Sequence, residues 1–121
     1  MIVVNENTII LNDVKQMLGI QTETIEFDID ILSHINGAFF TLFQLGIGSD
    51  TPFIIDDMTT WSSFTANVPK NVVLDYLFLK TKIVFDPPNT SGVMDAYKDR
   101  ISELEFRINV YVDNDGGIVS S

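Results

Sequence analysis

Apolar residues keep a helical rhythm over most of this chain and lose it over one stretch in the middle. Val14, Met17 and Leu18 fall at i, i+3 and i+4, one face of a short helix of about two turns. Asn12 is placed to cap it, Asp13 lies in the first turn where the helix dipole favours a carboxylate, and Gly19 stands where a helix stops. The ten residues before it read as extended or loose. Residues 20–25 are a mostly polar linker. From Glu26 the spacing predicts a long helix, with Thr24 as candidate cap and a stripe of Phe27, Ile31, Ile35, Ala38, Phe39, Leu42 and Leu45 that Leu32 widens. Gly46 ends it.

Over residues 46–69 the rhythm disappears. Gly46, Gly48, Ser49, Asp50 and Pro52 mark a loop, yet Phe53, Ile54, Ile55, Trp61 and Phe64 are large and apolar. A loop of this length is uncommon in a small domain, and this one is too apolar to read as disordered throughout. Thr59 or Thr60 can cap one short helical turn carrying Trp61 and Phe64. Pro69 suits the start of a third helix, through Val72, Val73, Tyr76, Leu77, Leu79, Ile83 and Val84, which Asp86-Pro87-Pro88 stops. Asn89, Thr90 and Ser91 offer caps for a fourth, with the stripe Val93, Met94, Tyr97, Ile101, Leu104 and Ile108. Asp99, Arg100, Glu103 and Arg107 mark its wet side, and Glu103 with Arg107 is an i, i+4 pair in the favourable order. The expected fold is mainly α: one domain, a bundle of about four helices over residues 11–112. A long apolar loop separates helices two and three, and residues 113–121 form a flexible tail.

Length and composition support a globular reading. A chain of 121 residues can bury roughly two thirds of its unfolded surface, and 45% hydrophobic with 20% charged residues is an ordinary globular balance. The net charge of −10 disfavours a free-standing nucleic-acid binder, which needs Lys and Arg for phosphate contacts. That charge is uneven. Residues 1–60 hold nine acids and one base, Lys15, whereas residues 61–121 hold eight acids and six bases. The acidic half reads either as a solvated face or as a surface that repels phosphate or docks on a basic partner. The opening MIVVNENTII lacks the basic start and apolar core of a secretory signal, and no apolar run approaches the ~20 residues of a membrane span.

Chemistry-bearing patterns are sparse. With no cysteine there is no disulfide, thiolate zinc site or thiol nucleophile. His34, the single histidine, lacks the partners of a metal or catalytic motif. Asp28 and Asp30 are two apart and diverge on a helix, and Asp56-Asp57 could hold a cation only weakly. Asp113-Asn114-Asp115-Gly116 lacks the glycine register and distant Glu of a calcium loop. The expectation is a protein with no catalytic residue, metal or cofactor. What remains is surface. The loop residues Phe53, Ile54, Ile55, Trp61 and Phe64 either fold back as a lid or pack on another copy of the chain. Ile118-Val119 is either a loose end or a strand that orders on a partner.

Several segments together resemble a known family. Asp13 to Ile20 carries a V-K-x-x-L-x-I helix, followed by an acidic linker and the long helix from Phe27 to Ala38. The centre contains QLGIG, FIIDD and T-W-x-x-F. Later come IVFDPP (Ile83–Pro88) and ISELEFRINV (Ile101–Val110). Over about residues 11–112 this pattern resembles the head–tail connector proteins of tailed bacteriophages, also called adaptor or head-completion proteins. The resemblance implies a structural virion protein, made in the bacterial host cytoplasm and assembled at the head–tail junction. It implies a homo-oligomeric ring between the portal protein and the tail, or a stopper or tail-completion protein, through which double-stranded DNA passes. On that reading Phe53, Ile54, Ile55, Trp61 and Phe64 supply the ring contact, with helix two or four receiving it. Val110, Tyr111, Val112, Ile118 and Val119 contact the portal, and Asp28, Asp30, Asp56 and Asp57 line the channel. The alternative is an acidic regulatory domain that covers a basic partner. It predicts a loop packed on its own core, whereas the connector reading predicts a loop and tail that stay mobile until assembly.

Overall fold

The computed structural model describes residues 4–47 and 51–112. Within them the chain forms four α-helices: α1 (Ile10–Met17), α2 (Asp28–Gln44), α3 (Lys70–Phe85) and α4 (Ser91–Val112), with one 3-10 turn at Trp61–Ser63. The one β-type pairing among the described residues is a single antiparallel bridge between Ile9 and Thr60. The architecture is the small helical bundle that the periodicity predicts.

The helix stops follow the sequence closely. Gly19 (φ 80°) and Gly46 (φ 90°) take the left-handed conformation just past α1 and α2, where a side chain would be strained. Pro69 caps α3, Asp86-Pro87-Pro88 ends it, and the Thr90 hydroxyl accepts the Val93 N–H at the start of α4.

Two starts differ from expectation. Asn12 lies inside α1, which begins two residues earlier because the Ile10 N–H donates to the Thr59 carbonyl of the loop. A distant segment does the capping that Asn12 was expected to do. Thr24 does not cap α2, which begins at Asp28. The Thr24 carbonyl accepts instead from the Lys15 ammonium.

The core gathers Ile10, Leu11 and Val14 of α1, Ile31, Ile35, Ala38, Phe39 and Leu42 of α2, and Val73, Leu74, Tyr76, Leu77 and Leu79 of α3. Ile101, Leu104 and Ile108 of α4 close it on the outer side of α3. The helices alternate in direction. Phe27 at the start of α2 meets Phe85 at the end of α3, ring edge to face at 5.6 Å. The Tyr76 hydroxyl, midway along α3, donates to Glu105 in the second half of α4 at 2.8 Å. Burial, and then Glu105, push the Tyr76 phenol well above its ordinary pKa of 10.0. α4 packs chiefly on α3, so most of its circumference faces away from the rest of the bundle.

Candidate docking surfaces

The central loop is a lid held down by polar pins. Asp13 is buried in the first turn of α1, and its Oδ2 accepts from both the Trp61 indole N–H (2.8 Å) and the Thr8 hydroxyl (2.8 Å). The indole itself is fully buried. Thr8 and Glu6 carbonyls accept the backbone N–H groups of Trp61 and Ser62, joining the N-terminal segment to the 3-10 turn. On α2, Asn36 embraces the backbone of Ile55. Its Oδ1 accepts the Ile55 N–H at 2.8 Å, and its Nδ2 donates to the Ile55 carbonyl at 3.1 Å. Between these pins Phe39, Phe53, Phe64 and Trp61 form one aromatic cluster with centroid spacings of 4.9 to 6.2 Å.

This lid narrows what the loop can offer a neighbouring copy. Trp61, Phe64 and Ile55 lie inside the chain's own core and offer no surface, because the aromatic cluster and the Asp13 hydrogen bond hold them there. Phe53 is half-buried against Phe39. Of the five loop residues only Ile54 projects outward, at 71% exposure, and Met58, four residues on, is exposed as well. The packed lid over 51–69 is what the alternative reading predicted for the loop.

The four acidic candidates are not one group. Asp28 stands 2.8 Å from the ammonium of the fully buried Lys15, whose hydrogen bonds go to the Thr22 (3.0 Å) and Thr24 (2.6 Å) carbonyls. Its charge is therefore offset, and these four residues bind the α1–α2 linker to both helices. Asp30 is exposed and lies 3.4 Å from His34, one turn on. Asp56 and Asp57 are exposed in the lid, next to the Ile55–Asn36 pin, about 12 Å along the α2 axis from Asp28. Asp56 accepts from the Met58 N–H and the Thr59 hydroxyl, which hold its carboxyl below the ordinary carboxylate value. No group of three or more His, Cys, Asp and Glu among the described residues is placed to hold a metal.

At the C-terminal side, Val110 and Tyr111 are each 39% exposed on the last turn of α4. Tyr111 lines an open groove of about 560 Å³ with Val4, Val68, Pro69, Lys70 and Asn71. Val112 is the last residue of α4, and Ile118 and Val119 lie outside the described residues.

Apart from Ile54, several large exposed apolar side chains were not among the sequence candidates. Ile25, Phe27, Ile29 and Val84 are exposed near the place where Phe27, before α2, meets Phe85 at the end of α3. Phe40 is exposed on α2, and Phe106 is 70% exposed on α4. Phe27 had been assigned to the core stripe; it sits instead at the open end of the bundle. Their common signal is position. Ile29 and Phe106 fall off the helical stripes that predict the core, and an apolar residue there has no partner within the chain.

Comparison with known proteins agrees with this picture. The family model described as phage connector protein matches residues 10–115. The chain belongs to the phage connector family. It is thus a structural protein of the phage neck, associated with other neck and capsid proteins of the virion. No curated protein and no solved structure matches the chain. No helix among the described residues is long and apolar enough to cross a membrane.

Proposed function

We propose that this protein forms a ring in the phage neck that joins the portal to the tail and extends the DNA channel. Family membership over residues 10–115 carries the reading. The surface suits it: the lid closes the chain's own core, yet a group of apolar side chains stays exposed at one end and Phe106 at a distance from it. Ring contacts are heterologous, two different patches of one subunit meeting in succession round a closed circle. Ile54 is the part of the lid free to join such a contact, Phe53 bordering it.

The C-terminal segment, from Val110 and Tyr111 at the groove through Val112 to Ile118 and Val119, is the portal contact in this reading. Asp30, Asp56 and Asp57, with the net charge of −10 behind them, give the channel a wall to which phosphate does not adhere. Asp28 adds little, its charge being offset by Lys15.

The test is a reconstruction of the neck from purified particles. A closed ring of this chain between portal and tail, with Asp30, Asp56 and Asp57 toward the lumen, is the expected result. A single copy per neck overturns the ring, and the acids on the outer wall overturn the channel assignment. A second reading, an acidic domain covering a basic partner, draws on the lid's packing; it predicts one copy per partner in the same particles.

A further inference from the structure

We infer that the ring contact is made head to tail, the α2–α3 end of one copy receiving the second half of α4 of the next. This rests on the ring reading above. The receiving end presents Ile25, Phe27, Ile29 and Val84, exposed by 73%, 42%, 87% and 56%, with Phe27 braced against Phe85. The α4 side presents Phe106 at 70% and, one turn on, Val110 at 39%. These two surfaces lie at different levels of the bundle, the first at the Phe27–Phe85 end and the second running from mid-height, beside Tyr76–Glu105, toward the other end. α2 and α3 run antiparallel with Phe27 at Phe85, α4 returns alongside α3 through Tyr76–Glu105, and Tyr111 ends beside Pro69 and Lys70. They cannot meet within one chain.

The two patches differ in charge: the first is acidic, and the second carries Arg107 beside Glu103 and Glu105, the latter accepting from Tyr76. The receiving end is rimmed by exposed Glu23, Glu26 and Asp30, and its Lys82 is already paired with Asp86 at 2.7 Å. Beside Phe106 stands Arg107, half exposed. Among the described residues its one ion pair, 3.7 Å to Glu103, is with a carboxylate that Arg100 already bonds more closely. Arg107 is thus a cation with little to hold it, next to an aromatic anchor, and Arg with a large aromatic is the composition of an interface centre. An apolar patch flanked by acid at one end and an apolar ridge with a weakly held arginine on the second half of α4 fit a second copy of the same chain. Two different patches repeat from copy to copy, and such a contact closes into a ring when the rotation between successive copies closes.

The absence of cysteine makes the contact directly testable. Particles carrying the full chain with both Ile29→Cys and Phe106→Cys are oxidised and run without reductant. A ladder of covalent multimers of this chain is expected, and neither single variant alone gives one. Particles built on Ile29→Asp or Phe106→Asp are expected to lose at least tenfold of the chain from the neck, while each purified variant keeps the wild-type melting temperature. Covalent dimers from either single cysteine overturn the head-to-tail arrangement, since they report a patch meeting itself. Rings of normal copy number built from the aspartate variants overturn the contact while leaving the ring intact. One copy per wild-type neck removes the ring, and the contact with it.

Discussion

The lid and α4 solve opposite problems. Residues 51–69 have no periodicity, yet they bury an indole completely and satisfy their polar groups on side chains of α1 and α2. α4 is the longest and most regular element, yet it packs chiefly on one neighbour and keeps Phe106 and Val110 in solvent. Regularity is therefore a poor guide to self-sufficiency in this chain. The irregular part closes the molecule, and the regular part leaves it open to others.

That contrast can be broken by mutation, and the largest effect is expected in the lid. Trp61→Ala removes a fully buried indole and one partner of Asp13, and should cost about 3–5 kcal/mol, read as a lower urea midpoint. A loss under about 1 kcal/mol would show that the lid is not part of the cooperative core. Lys15→Met strands Asp28 beside an apolar side chain. Because Asp28 still reaches solvent, the cost falls at the low end for a broken buried pair, about 3 kcal/mol. Adding Asp28→Asn should recover most of it. Asn36→Ala leaves the Ile55 N–H and carbonyl without their partner and should cost about 1–3 kcal/mol. The same variant should open 51–69 to protease, a segment expected to resist cleavage in the wild type.

Tyr76 gives the next effect, and its sign is fixed. Its phenol holds its proton more tightly in the folded chain than in the unfolded one, so the unfolded state alone ionises as the pH passes 10. Stability is therefore expected to fall as pH rises above 10, and Tyr76→Phe to flatten that slope in melts at stepped pH. Phe106→Asp is expected to change stability least, within about 0.5 kcal/mol, because the ring touches solvent more than protein. A destabilisation above 2 kcal/mol would mean that α4 serves the fold and not a partner.

How much of this was legible beforehand follows from the reach of each signal. The stripes of α2, α3 and α4, the glycines at 19 and 46 and the Asp86-Pro87-Pro88 stop are local, and apart from the exposed Phe27, Val84 and Val93 the structure has them where the spacing puts them. The lid's conformation depends on partners far off in sequence, Asp13 for Trp61 and Asn36 for Ile55, and nothing local encodes such a pairing. For that reason Trp61 and Phe64 looked equally suited to a neighbour or to the chain itself. The exposed end at Ile25, Phe27 and Ile29 was partly legible. Apolar residues alternating with Glu26, Asp28 and Asp30 break the helical stripe, but only the placement of α3 shows that Phe85 and Val84 belong to the same end.

The Asp13–Trp61 hydrogen bond also has a consequence in time. It closes a circuit of 48 residues that contains all of α2. Closing so long a circuit is entropically costly, and contacts of this range slow folding more than local ones do. On the ribosome α1 and α2 emerge well before the residue that locks them. The N-terminal half is then held by its local helices alone, its Asp13 carboxylate still wet, until Trp61 has cleared the exit tunnel. The order of synthesis thus gives the nascent chain a waiting period that Trp61, and after it α3, bring to an end.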